Sequence, residues 1–197
     1  MRKIFVGAFG TAMRSERPLN TLVVPLDGNI QSVVRAFHAS VANDPSEIKS
    51  ATHLIIPGVG SFGSLDIADD WRLAIREYSL SGMPVLGICL GMQALGDSSE
   101  EGEGVGLGIM PGRSMRLPRM RMGWDRVIGF GDVYFCHQYE FFPINPDHVW
   151  LKTISGVVAG VRDKNIIGVQ FHPEKSGRVG KKFIEDFLIA VPSNRAA

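Results

Sequence analysis

Residues 84–95 read Pro-Val-Leu-Gly-Ile-Cys-Leu-Gly-Met-Gln-Ala-Leu. The apolar run Val85 to Ile88 stops at Cys89, which has a glycine two places away on each side, and a helix-compatible stretch follows at once. Four apolar residues feeding straight into a helix are a buried strand and the opening of a β–α unit. A strand that turns this sharply exposes the residue at its bend, and flanking glycines relieve the crowding of the turn.

The same alternation recurs on both sides of this stretch. Leu22 to Leu26 reads as a strand ended by Asp27-Gly28-Asn29, and Ile30, Val33, Val34 and Phe37 then follow at helical spacing. Asp44-Pro45-Ser46-Glu47 has the form of a capping box with proline at the first helical position. His53 to Ile56 is a second buried strand, stopped by Pro57-Gly58-Val59-Gly60, and Ile67, Trp71, Ala74, Ile75 and Tyr78 share one helical face. Short apolar strands alternating with amphipathic helices predict an α/β fold: a single three-layer domain with a mostly parallel central sheet. The second half changes character. Strands are expected at Val133 to Cys136, Val149 to Leu151, Val157 to Val161 and Ile166 to Phe171, close enough for hairpin-type turns and an antiparallel portion. A last helix over Val179 to Ile189 offers Phe183, Ile184, Phe187 and Leu188 as its inner face.

At 197 residues, 45% of them apolar and 21% charged, the chain has the composition of one globular domain. The domain is expected over 21–191, with residues 1–20 as an N-terminal extension. The net charge is +1, and the one basic cluster, Arg113 to Arg126, reads as a solvated loop rather than a nucleic-acid surface. No apolar run approaches bilayer length and no signal peptide is evident, so neither nucleic acid nor membrane is expected as a partner. Cys89 and Cys136 cannot form a disulfide framework and lack metal-ligand surroundings, which favours a reducing cytoplasm.

The pattern G-x-C-x-G at a strand-to-helix bend is a nucleophile elbow with cysteine as the nucleophile. The bend sets Cys89 beside a helix N-terminus, which favours thiolate, and points the Leu90 amide where an oxyanion would develop. A small buried residue at a tight turn fits the pentapeptide alone equally well. A nucleophilic cysteine needs a base and something to orient that base. Of the five histidines, His38 falls in a helix, His148 in a Pro-Asp turn, and His53 at the start of a strand with no evident path to the elbow. His172 stands apart in Gly168-Val169-Gln170-Phe171-His172-Pro173-Glu174-Lys175-Ser176: a buried strand ends at it, and Glu174 lies two residues on. In open α/β sheets the ligand crevice lies beyond the carboxyl ends of the strands, where both features meet.

Gly87-Ile88-Cys89-Leu90-Gly91-Met92-Gln93 together with His172-Pro173-Glu174 resembles the class I (triad) glutamine amidotransferases. More narrowly, Ile56-Pro57-Gly58-Val59-Gly60-Ser61-Phe62-Gly63, Met122-Gly123-Trp124-Asp125, Tyr134-Phe135-Cys136-His137 and His172-Pro173-Glu174-Lys175-Ser176 look like the glutaminase subunits of imidazole glycerol phosphate synthase. The likeness runs from about Leu22 to Leu188. It implies that Cys89 attacks the side-chain amide of L-glutamine to give a thioester and ammonia, with His172 as base then acid and Glu174 holding it. It implies an oxyanion hole from the amides of Val59 and Leu90, the former after a peptide flip that the flanking Gly58 and Gly60 make easy. Those two glycines, Gln93 and the backbone at Gln138 and Tyr139 are the implied substrate-binding residues. It also implies a heterodimer with a synthase (cyclase) partner of (β/α)8-barrel type, which receives the ammonia and is faced by Asn29, Trp124, Tyr134 and Lys175. Neither cofactor nor metal is implied.

Three departures from the family pattern stand out. Some twenty residues precede the first strand, and the turn after it is Pro25-Leu26-Asp27-Gly28-Asn29. Arg119-Met120-Arg121 stands where the family usually has Pro-His before Met122, after a shortened loop, and Gln138 replaces the usual Ser or Thr. None touches the triad. Two lie where partner contact is expected, so a glutaminase feeding a sugar-modifying amidotransferase of surface-polysaccharide synthesis is the rival reading. A non-catalytic regulatory subunit is the third.

Overall fold

A computed structural model of the chain describes residues 18–26 and 29–190. The Asp27-Gly28 turn and residues 1–17 lie outside the described residues. Strands β1 (Thr21–Val23), β2 (Ser40–Val41), β3 (His53–Ile56) and β4 (Val85–Ile88) are joined by α1 (Ile30–Phe37), a 3-10 turn at Pro45–Ser50 and α2 (Asp69–Leu80). After β4 come α3 (Leu90–Ala94), β5 (Ser98–Ser99), β6 (Gly112–Val127), β7 (Gly131–Pro143), β8 (Val149–Lys152), β9 (Val158–Asp163), β10 (Ile166–Val169) and α4 (Gly177–Leu188). The central sheet runs β2-β1-β3-β4-β10-β9-β8, and β5-β6-β7 form a second sheet. Every pairing from β2 to β10 is parallel, while β9 and β8 are antiparallel additions.

Alternate residues of the central strands feed two separate cores. Val23, Ile55, Leu86 and Ile88 pack with α1 and α4, while Leu22, Leu54, Ile56 and Val85 pack toward α2 and α3. Both faces being covered is the reason these strands read as unbroken apolar runs. Beneath the end of β10, Phe171 meets Phe130, Phe135 and Phe183 at centroid distances of 5.4, 6.1 and 5.7 Å. Such tilted or edge-on contacts are worth roughly 0.5–1.5 kcal/mol each beyond burial. They clamp the strand end, the β6–β7 hairpin and α4 together directly under His172.

Two expectations need correction. Arg113 to Arg126 is not a loop but most of β6, paired with β7 almost throughout. Its arginines are exposed apart from Arg121, which is half-buried over Phe135, but β6 buries little beyond Gly112, Ser114 and Val127, so no apolar alternation marks it as a strand. The box at Asp44 caps a 3-10 turn rather than an α-helix: Asp44 accepts from the Ser46 N–H at 2.8 Å, and Glu47 reaches the Asn43 N–H instead of that of Asp44.

Candidate active site

Strands β4 and β10 are parallel neighbours at the centre of the sheet, with Ile88 opposite Val169. The elbow and the His-Pro-Glu turn leave the carboxyl ends of these two strands side by side. The Cys89 N–H extends the ladder by one bond to the Val169 carbonyl at 2.8 Å. Cys89 itself takes φ 55° and ψ −109°, a conformation unfavourable for any residue with a Cβ. Its flanking glycines are required by close approach. A methyl on Gly87 would lie 2.6 Å from the Gly91 carbonyl oxygen, and one on Gly91 would run into the carbonyl of Ile56. Only without these methyls can α3 fold back onto β4 and β3 and hold the bend.

Cys89 is 5% exposed and His172 2%. The His172 Nδ1 lies 2.9 Å from Glu174 Oε1, and that side chain is itself buried. Burial opposes a charged His172, but hydrogen bonding and charge attraction to Cys89 and Glu174 outweigh it and push the imidazole up to about 10. The site therefore stabilises an imidazolium between a sulfur and a carboxylate. The backbone of His172 is pinned to β7: its N–H donates to the Tyr134 carbonyl at 2.9 Å. Ser176 Oγ donates to the His172 carbonyl at 2.6 Å and accepts from the Tyr134 N–H at 3.0 Å.

The expected oxyanion donors are close but not yet a pair. The Leu90 N–H is taken by the Gly58 carbonyl at 3.3 Å, so that carbonyl occupies the place an oxyanion would. Pro57 and Phe62 are buried, whereas Val59 and Gly60 are exposed between them. The Phe62 N–H is anchored to Glu101 at 2.7 Å. Gly60 sits at φ 113° with open space around it, so backbone conformation rather than packing calls for glycine there.

Gln93 is 4% exposed; its Nε2 donates to the Tyr139 carbonyl and to Gln170 Oε1, each at 3.3 Å. Gln138 lies opposite the register shift between Arg116 and Arg121, and its side chain donates to the Leu117 carbonyl at 2.8 Å. Tyr134 lies against exposed Trp124 at 6.3 Å between centroids, with Lys175 Nζ 5.9 Å from its ring centre. Asn29 stands at the start of α1, just beyond the carboxyl end of β1 and on the same edge of the sheet as the elbow. Two neighbours of the sulfur escape sequence reasoning: Gln170, fully buried with Nε2 3.7 Å from Cys89 Sγ, and the Cys136 carbonyl, 3.6 Å away. A polar residue closing the apolar run Ile166 to Val169 was the one available signal. Among the described residues no group of three or more His, Cys, Asp or Glu could hold a metal ion, and no helix is long and apolar enough to cross a membrane.

Residues 16–191 match the family model of glutamine amidotransferase class-I, and the chain belongs to that family. Among its relatives is the imidazole glycerol phosphate synthase subunit HisH of Geobacillus sp., 38% identical with 81% of this chain and 91% of that protein covered. The HisH subunit of Methanothermobacter thermautotrophicus is 37% identical over 82% of this chain and 93% of its own. Solved structures share the fold at lower identity. A glutamine amidotransferase matches with TM-score 0.70 and 19% identity over 85% of this chain and 96% of its own. One from Methylobacillus flagellatus matches with TM-score 0.60 and 15% identity over 91% and 98%.

Proposed function

We propose that this chain is the glutaminase subunit of an imidazole glycerol phosphate synthase in histidine biosynthesis. It hydrolyses L-glutamine and passes the ammonia to a cyclase subunit of (β/α)8-barrel type, in the cytoplasm. The observation that carries the chemistry is the Cys89 elbow beside His172, with Glu174 2.9 Å behind the imidazole. The relatives favour the histidine-pathway partner over the sugar-modifying one.

The thiolate of Cys89 attacks the side-chain carbonyl carbon of glutamine, and the carbonyl π electrons move onto oxygen. His172 gives its proton to the amide nitrogen, the C–N bond breaks, and ammonia leaves a glutamyl thioester. Water then loses a proton to His172 and adds to the thioester; the C–S bond breaks and glutamate departs. Glu174 keeps the imidazole oriented in both halves. Leu90 and Val59 amides stabilise the oxyanion once the Gly58–Val59 peptide turns over, exchanging an acceptor for a donor. With the Gly58 carbonyl holding the Leu90 amide, the resting subunit is poorly prepared for this step. Gln93 and the backbone at Gln138 and Tyr139 receive the amino-acid end of the substrate, beside Gly58 and Gly60. Asn29, Trp124, Tyr134 and Lys175 form part of the partner face, and the backbone bonds of Tyr134 link that face to His172. The test is glutamate release by the purified chain alone, with a cyclase subunit, and with the cyclase plus its phosphorylated ligand. The rate should be low alone and rise at least tenfold in the full mixture; a high rate that the cyclase does not change would overturn the coupling.

A further inference from the structure

The sulfur of Cys89 has neighbours of opposite character. The Cys136 carbonyl, 3.6 Å away, accepts from the thiol and offers nothing to a thiolate. Gln170 Nε2, 3.7 Å away, is a donor and favours the thiolate, as does His172. Gln170 is fully buried, and its Oε1 is engaged by Gln93.

The direction of the Gln170 amide follows from a group that cannot be reversed. The Tyr139 carbonyl is an acceptor only, and it receives the His137 Nδ1–H at 2.8 Å as well as Gln93 Nε2. Gln93 must therefore turn its NH2 toward Tyr139. That same NH2 faces Gln170, so Gln170 must present oxygen to Gln93 and its own NH2 to the sulfur. A backbone carbonyl on β7 thus sets, through two buried amides, the polarity of the group touching the nucleophile. We propose that Gln170 is a catalytic residue that holds Cys89 as the thiolate through its amide N–H, and that Gln93 on the Tyr139 carbonyl keeps it aimed. This rests on the reading of Cys89 as nucleophile.

The charged and titratable groups around the sulfur are few. His172 and Glu174 come from the turn after β10, and His137 on β7 lies near His172. Arg121 on β6 stands over Phe135, 5.9 Å from its ring centre. The loop 57–61 and α3 carry no titratable side chain.

The experiment is alkylation of the full-length chain by iodoacetamide as a function of pH, read at Cys89 by peptide mass mapping so that Cys136 does not interfere. Gln170→Met keeps the volume and removes the donor; its inflection should rise by roughly one pH unit, with about tenfold less reaction at neutral pH. Gln93→Met frees the Gln170 amide to turn and should give a smaller rise. An unshifted or lowered inflection in Gln170→Met overturns the proposal, even if that variant has lost activity, because losing a donor to the thiolate must raise the inflection. Should Gln170→Met not fold, an unshifted profile in Gln93→Met overturns it instead. Wild-type glutamate release by Cys89→Ala would sink the nucleophile reading itself. A silent Cys89→Ala beside an unshifted Gln170→Met sinks only the role of Gln170.

Discussion

At the scale of single residues, Cys89 differs from an ordinary core cysteine by its left-handed φ of 55° and by the imidazole beside it. Burial pulls His172 down, yet the contacts with Cys89 and Glu174 carry it up to about 10. Removing the sulfur removes one of the two supports, so in Cys89→Ala the His172 ring should titrate lower than in the native chain. NMR titration of labelled histidine measures this, and an unchanged inflection would show that Glu174 alone sets the charge. Cys89, His172 and Glu174 were legible in the sequence because glycine spacing and a strand-ending His-Pro-Glu are local signals. Gln170 was not, since its meaning depends on the register that puts Val169 opposite Ile88. The position of the Leu90 amide at the bend was legible, but its bond to the Gly58 carbonyl was not.

At the scale of elements, the elbow depends on α3 lying against β3 and β4 with no methyl at Gly87 or Gly91. Gly91→Ala should cost roughly 3 kcal/mol in urea denaturation, because the obstacle is the Ile56 backbone rather than a side chain that can swing away. Gly60→Ala, with open space but φ 113°, should cost only about 1–2 kcal/mol. Equal costs at the two positions would contradict this account of the bend. The parallel strands and helices were legible because burial on both sides writes continuous apolar runs and 3.6-residue stripes. Strand β6 was hidden for the converse reason: its outer face carries Met120, Met122 and Trp124 exposed among arginines, and the register shift after Arg116 breaks the alternation. Gln138, a departure from the family pattern, fills that shift through its bond to Leu117.

At the scale of the whole molecule, the last helix is fastened to the sheet by His53, whose Nε2 lies 3.0 Å from the Ala190 carbonyl. Burial holds His53 at about 4 in the folded chain, against an ordinary 6.5. His137, also buried, is likewise held at about 4. Between those values the unfolded chain binds the protons and the folded chain does not, so the stability present above 6.5 drains away as pH falls toward 4. The melting temperature should decline through that window, and less steeply in His53→Gln; an identical slope would remove His53 from the account. The surface around Trp124, Tyr134 and Lys175 sits beside the His-Pro-Glu turn, so a partner bound there would touch the elements that hold His172. The central claim is that Cys89 generates ammonia from glutamine for that partner. The most direct measurement is synthesis by the complex of Cys89→Ala with the cyclase subunit, supplied with glutamine or with ammonium salt. Glutamine-dependent synthesis should vanish while ammonia-dependent synthesis persists, whereas continued turnover of glutamine by Cys89→Ala would contradict the claim.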